Sequence, residues 1–323
     1  MRFIRWHQRE FVHFVTNRCE HEMFFLVPTA KCNSLIRFWL ARAKQKYGRH
    51  IEIYAFVFLS NHFHILLRDP CGELAEFMGY FTGNLAKAVN RVIGRKGTFW
   101  AREYDDVIVD GENEFWNRYV YTVCNPVKSG LVKSPDRWGG VSSYSHCLND
   151  TSIVGIGFNQ TTLGNAARFG RKVDRKEHEE TWVFELAIPP MLEGKTQTQR
   201  RNFLDHLLCV GAEDMRCRRE GATFLGMSAV LAQSPFDRPG KPAARPRFKF
   251  MSFCKVRLKE LDEIYRTFVA RYRESRQQLI TYAMKTMKRG GTRRAIAMHH
   301  AKAPTIWWPS GCFLPTVHRP LGA

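Results

Sequence analysis

His62 and His64 stand two residues apart in the run FVFLSNHFHILL at 56–67, with Asn61 directly before them. Neutral imidazoles carry protons and ligate metals, and two of them on one side of a strand can hold a divalent ion. Two ligands are too few for a tight site, so other groups must complete it. Tyr121 and Asn125 form a second pair, four residues apart in YTVCNPVKSG. On a helix that spacing puts them on one side, one turn apart. A phenol can attack an electrophile and store the product as a covalent ester, while a carboxamide oxygen can ligate or orient. Each residue also has a structural reading: the histidines bonded to backbone, Tyr121 as a surface aromatic or a contact with a second domain, Asn125 as a turn residue before Pro126. Spacing alone does not bring this helix to the histidines.

The elements that must position these groups follow from periodicity. Residues 51–58 and 63–67 are aromatic and β-branched runs separated by a short turn at 59–61, which predicts two strands. Alternation puts His62, His64 and Leu66 on one side of the second strand and Phe63, Ile65 and Leu67 on the other. The continuously apolar side meets the helices, so the histidines are expected on the open face of the sheet. Residues 11–17 predict a first strand, and 29–47 an amphipathic helix from Leu35, Phe38, Trp39, Ala43 and Tyr47. A second helix runs through Leu74, Phe77, Met78, Phe81, Leu85, Ala88, Val89 and Val92 and ends at Gly94. A strand at 104–109 and a short helix from 113 to about 124 complete the pattern, the helix stopped by NPVKSG because Pro126 restricts its predecessor. In that helix Phe115, Trp116, Tyr119, Val120 and Val123 span an arc of about 140° that should face the sheet. Tyr121 then lies opposite the centre of the stripe, beside Arg118 and Asn125. The order is that of an α+β fold, a small antiparallel sheet with helices on one face.

The 323 residues suffice for one large or two ordinary domains, and two are expected, 1–150 and 151–323. With 50 Lys and Arg against 30 Asp and Glu, the net charge of +20 favours a polyanionic partner or an acidic membrane surface. The first 150 residues hold 20 basic and 15 acidic side chains and the remainder 30 and 15, so the excess lies in the second half. No apolar run approaches the roughly 18 residues needed to cross a bilayer, and the opening MRFIRWHQREF lacks a signal-peptide core, so a cytoplasmic protein is expected. Nine cysteines without a CxxC pair exclude zinc-finger spacing and suit reduced thiols. Beyond 150, residues 198–210 and 252–280 read as helices, and SPFDRPGKPAARPR at 234–247 reads as an exposed linker.

Through these residues the chain resembles the small tyrosine transposases of the IS200/IS605 type, and more closely their REP-associated branch, within the HUH endonucleases. Asn61, His62, Phe63 and His64 are similar to the histidine–hydrophobic–histidine motif with its preceding asparagine. YTVCNPVKSGLV at 121–132 resembles the family run Y-I-H-x-N-P-V-R-A-G-L-V, WGGVSSY at 138–144 resembles the closing segment, and TFWAREYDD at 98–106 is similar to the W-Q-R-R-Y-like stretch. Four segments in the right order cover about residues 8–148. One position departs, because Val123 stands where the family often has a histidine, and no acid, base or ligand is available there.

The resemblance implies a ferredoxin-like antiparallel sheet with helices on one face, the HUH nuclease fold, followed by a mostly helical basic C-terminal region. It implies that His62, His64 and Asn125 hold one Mg²⁺ or Mn²⁺ against a scissile phosphate and that Tyr121 attacks the phosphorus, leaving a 5′-phosphotyrosine and a free 3′-OH. A free phenol is protonated at neutral pH, so the metal or nearby cations must assist. The implied substrate is single-stranded DNA with imperfect hairpins, handled in a bacterial cytoplasm by a monomer or homodimer. Arg91, Arg95 and Lys96 beside Phe99 and Trp100 suit phosphate contact with base stacking, and Arg102 and Arg118 are further candidates for DNA contact. In KTMKRGGTRRA at 285–295, Lys285, Lys288, Arg289, Arg293 and Arg294 could follow hairpin phosphates. Solvated surface roles compete for all of these cations. Two other functions stay open: a domesticated hairpin-DNA-binding protein with little or no transposition activity, and a replication-initiator-like nickase.

Overall fold

Three adjacent strands with apolar side chains on both faces decide the architecture. The computed structural model describes residue 6 and residues 8–159, 174–219, 221–239 and 249–288. In chain order the elements are β1 (Val12–Arg18), α1 (Ala30–Tyr47), β2 (Glu52–Phe58), β3 (His62–Arg68), α2 (Leu74–Val92), β4 (Asp105–Val109), α3 (Glu112–Val123), α4 (Asn125–Lys128), α5 (Tyr144–Asn149), β5 (Ile153–Phe158), β6 (Glu179–Phe184), α6 (Gln197–Cys217), α7 (Met227–Leu231), β7 (Phe250–Met251) and α8 (Lys255–Lys288). An open sheet of order β2-β3-β1-β4-β7 forms the centre, antiparallel except for the short β7, which runs parallel to β4. The N-terminal region is thus mixed α and β, and the described residues beyond β6 are mostly helical. Among the described residues no helix is long and apolar enough to cross a membrane.

On one face Val15, Phe63, Ile65 and Leu67 pack with Ile36 and Leu40 of α1 and Phe77, Phe81 and Leu85 of α2. The start of α2 is held by Asp69, whose carboxylate accepts from the backbone N–H groups of Gly72, Glu73 and Leu74, each at 2.9 Å. The opposite face is covered as well, which corrects the expectation of helices on one face only. Phe14, Leu66, Val107 and Val109 project there and pack against Phe115, Tyr119 and Val123 of α3 and Leu204, Leu208 and Ala212 of α6. Apolar groups on both faces of a strand need cover on both sides. The histidine-bearing face is therefore roofed, not open.

This second layer also turns α3. Trp116 meets Phe203 at 5.0 Å between ring centroids, and a methyl at Gly211 would fall 2.2 Å from Val120 Cγ1, so α6 seats directly on α3. The apolar stripe is shared between the sheet and α6, and points between them. Arg118 and Tyr121 consequently come over β1 and β3 of the sheet, contrary to the expectation that Tyr121 lies away from it. A second correction concerns NPVKSG: α3 ends at Val123, but Pro126 sits in the first turn of α4, where its missing N–H costs nothing.

The β5–β6 hairpin, which packs on α1, was not expected. Its inward residues after Ile153 are Gly155 and Gly157; added Cβ atoms there would lie 2.5 Å from Arg37 O and 2.6 Å from the Phe38 ring. Outward-facing Val154 and Ile156 are the exposed ones. On β5 close backbone approach replaces apolar side chains on the buried side, so alternation gives an inverted signal there. Farther on, α8 is anchored through Leu261, Tyr265 and Phe268 against Trp6 and Ile108.

His13 of β1 is buried and holds Asp106 Oδ1 at 2.9 Å through Nδ1 and Gln8 O at 3.1 Å through Nε2. Burial opposes its charge, but the Asp106 carboxylate, its hydrogen bond, the Gln8 carbonyl and Asp69 outweigh that and raise its pKa above the ordinary 6.5. For a histidine raised on folding, the stabilisation is complete below the unfolded value and drains away as pH climbs through the folded one. Urea midpoints are expected to fall with rising pH above about 6.5, and Asp106→Asn to flatten that slope. An unchanged slope in Asp106→Asn would assign the dependence to another group.

Candidate active site

Strand register builds the floor of the site. On β1 and β3 the directly opposed pairs are Arg18 with His62, Thr16 with His64 and Phe14 with Leu66, and on the other side Thr16 opposes Asp105 of β4. Alternation puts all of these on the face beneath α3. The His64 ring stacks on Phe14 at 4.9 Å and meets His62 edgewise at 5.0 Å between centroids. Tyr121, half-buried, meets His64 at 5.3 Å and Phe14 at 5.7 Å, both edge-on. Residues nearly sixty positions apart are thereby brought into ring contact.

Both imidazoles have defined partners. Thr16 Oγ1 lies 2.7 Å from His64 Nδ1, and Asn61 Oδ1 lies 2.6 Å from His62 Nδ1. Burial, then the charges of His62, Arg18, Lys128 and Arg118, hold the His64 pKa well below its ordinary range. It is a neutral ring at neutral pH, with a lone pair to offer. Its Nε2 is buried and has no hydrogen-bond partner.

Two cations lie on Tyr121. Lys128 Nζ is 4.0 Å from the ring centroid and the Arg118 guanidinium carbon 5.1 Å; Arg118 is also paired with Glu114 at 2.9 Å. Lys128 escaped the sequence reading, although it lies seven residues after Tyr121, two turns along once α4 continues the path of α3. Asn125 is buried at the start of α4, and its Oδ1 accepts from Ser129 Oγ at 3.1 Å. Tyr121 meets His64, and His64 meets His62; the hydrogen bond seen for Asn125 is to Ser129. Val123 is fully buried in the core under α3, a position where an imidazole would lose its water.

No protein-family model matches the chain, and no curated protein matches it. A distant, partial likeness exists to the solved structure of a REP-associated tyrosine transposase bound to a REP hairpin: 19% identity, TM-score 0.37, over 46% of this chain and 85% of that one. At such a distance the site stands on its own geometry.

The remaining predicted residues are scattered. Arg91 and Lys96 are exposed; Arg95 is half-buried over Phe25, 4.3 Å from that ring's centroid. Phe99 is buried against Phe25, and Trp100 Nε1 donates to Thr82 O at 3.0 Å while its ring meets Phe63, so these aromatics serve the core and not a stacking platform. Arg102 is ion-paired with Asp105. Lys285 is exposed on α8; the Lys288 side chain and Arg289, Arg293 and Arg294 lie outside the described residues.

Among the described residues no three His, Cys, Asp or Glu side chains cluster as a metal site. Two histidines with an asparagine amide are a set of another kind. The buried His64 Nε2, with no hydrogen-bond partner, is chemically suited to serve as one ligand of a divalent cation.

Proposed function

We propose that the chain is a metal-dependent single-strand DNA transesterase of the tyrosine-transposase kind, built on the ferredoxin-like sheet of the HUH nucleases and resembling their REP-associated branch. Residues 1–150 carry the chemistry, and 151–323 form a basic accessory region. The observation that carries the reading is the contact of the Tyr121 ring with His64 at 5.3 Å, beneath Lys128 and Arg118. A phenol beside the neutral His64 imidazole and two cations suits attack on a phosphodiester.

In this reading the Tyr121 oxygen attacks phosphorus and the bond to the 3′-oxygen breaks. The strand's 5′-phosphate stays esterified to Tyr121, and the proton lost by the phenol balances the one gained by the 3′-OH. Attack by another 3′-OH reverses the step and rejoins strands without ATP. His62, His64 and Asn125 would hold Mg²⁺ or Mn²⁺, which when bound would polarise the phosphoryl oxygens. Two nitrogen ligands favour Mn²⁺ of the two. Lys128 and Arg118 would neutralise phosphate charge, with Arg91, Arg95, Lys96, Arg102 and the cations from Lys285 onward as candidates along the strand.

Labelled hairpin single-stranded DNA incubated with the full chain and Mn²⁺ is expected to yield a covalent adduct that peptide mapping assigns to Tyr121. Tight binding with no adduct across varied hairpins would overturn the enzyme and leave a hairpin-DNA-binding protein.

A further inference from the structure

The hydrogen bonds behind the two histidines specify which nitrogen of each ring faces a ligand. Asn61 Nδ2 donates to the Glu22 carbonyl at 3.1 Å, which fixes the orientation of the amide. Its Oδ1 is therefore the atom 2.6 Å from His62 Nδ1. An amide oxygen only accepts, so His62 Nδ1 must carry the hydrogen, and in the neutral form of the ring the lone pair sits on Nε2. For His64 the partner is the Thr16 hydroxyl at 2.7 Å, presented by the directly opposed position of β1.

A hydroxyl can donate or accept, but burial separates the two cases. If Thr16 donated to Nδ1, the His64 hydrogen would sit on Nε2, a buried atom with no acceptor. An unsatisfied buried donor is costly. With Nδ1–H donated to Thr16 Oγ1, the partnerless atom is a lone pair, the form a cation takes up.

We infer that Asn61 and Thr16 are positioning residues that lock both imidazoles in the Nδ1–H tautomer, so that Nε2 of each is the metal-binding atom before any metal arrives. This rests on the reading of His62 and His64 as ligands. Neither role is visible from the histidine motif itself: Asn61 acts from the turn before β3, and Thr16 from a strand some fifty residues earlier.

Long-range ¹H–¹⁵N correlation spectra of the metal-free, ¹⁵N-histidine-labelled full chain are expected to show the Nδ1–H pattern for both rings. Thr16→Val, which keeps the shape and removes the hydroxyl, is expected to release His64 from that pattern and to weaken Mn²⁺ binding roughly 10- to 100-fold, read by the paramagnetic resonance of free Mn²⁺. Thr16→Ser should restore both. Asn61→Ala should do to His62 what Thr16→Val does to His64, and Asn61→Asp should retain its Nδ1–H, giving a second arm should either variant fold poorly. An Nε2–H pattern in the parent chain, or unchanged tautomers and Mn²⁺ affinity in both Thr16→Val and Asn61→Ala, would overturn the inference. Locked tautomers without a Tyr121 adduct would sink the enzyme reading alone; an adduct with tautomers indifferent to these residues would sink only the lock.

Discussion

Tyr121→Phe is expected to lower the yield of covalent protein–DNA adduct on the order of 10³-fold or more, while folding and metal-independent DNA binding stay as they were. The Tyr121 ring edges against His64 and Phe14 and carries Lys128 and Arg118 on it, and a phenylalanine ring can keep each of those contacts. Only the hydroxyl is lost, and with it the nucleophile. Other tyrosines near the site do not substitute: Tyr119 is fully buried in the core, and burial together with Cys147 pushes its hydroxyl well above the usual phenol range. An adduct that survives Tyr121→Phe, mapped by mass spectrometry, would move the nucleophile elsewhere and dismantle the proposed site.

The second large effect lies one residue from the histidines. Phe63→Ala is expected to destabilise the fold by about 3–5 kcal/mol, the cost of truncating a buried aromatic that its surroundings cannot refill. Phe63 is fully buried, with Phe58 at 5.1 Å, Trp100 at 5.5 Å and Phe81 at 5.8 Å between ring centroids. His62→Gln, on the adjacent position, is expected to cost no more than about 1 kcal/mol while removing Mn²⁺ affinity. Urea unfolding and Mn²⁺ titration of the two variants check this opposition. Equal destabilisation by both would mean that His62 serves packing, not ligation.

That contrast shows why part of this protein can be read directly from its residues. Period-two alternation separates Phe63, Ile65 and Leu67 from His62 and His64 without any knowledge of the rest of the chain, and the boundaries of α2 follow from one long apolar stripe closed by glycine. Such patterns are local: backbone geometry alone converts them into faces. Strand β5 was illegible because beyond Ile153 its buried side is glycine backbone against α1, with Val154 and Ile156 turned outward.

The site divides in the same way. The types and spacing of His62, His64, Tyr121 and Asn125 leave their structural readings open, and it is the family resemblance that implies metal-assisted nucleophilic transfer. Their assembly was decided elsewhere. Helix α3 faces where it does because α6, eighty residues farther along, takes up one flank of its apolar stripe, and this rotation delivers Tyr121 to the sheet. Lys128 reaches the phenol only because α4 adds a turn beyond α3, and Thr16 reaches His64 only through the register of β1 on β3. Sequence by itself determined β1 to β4, α1 to α3 and the reactive groups they carry, because those depend on periods of two and 3.6 residues. Tertiary structure alone decided which groups meet, because contact across long separations depends on how a shared core is filled, and no local period encodes that.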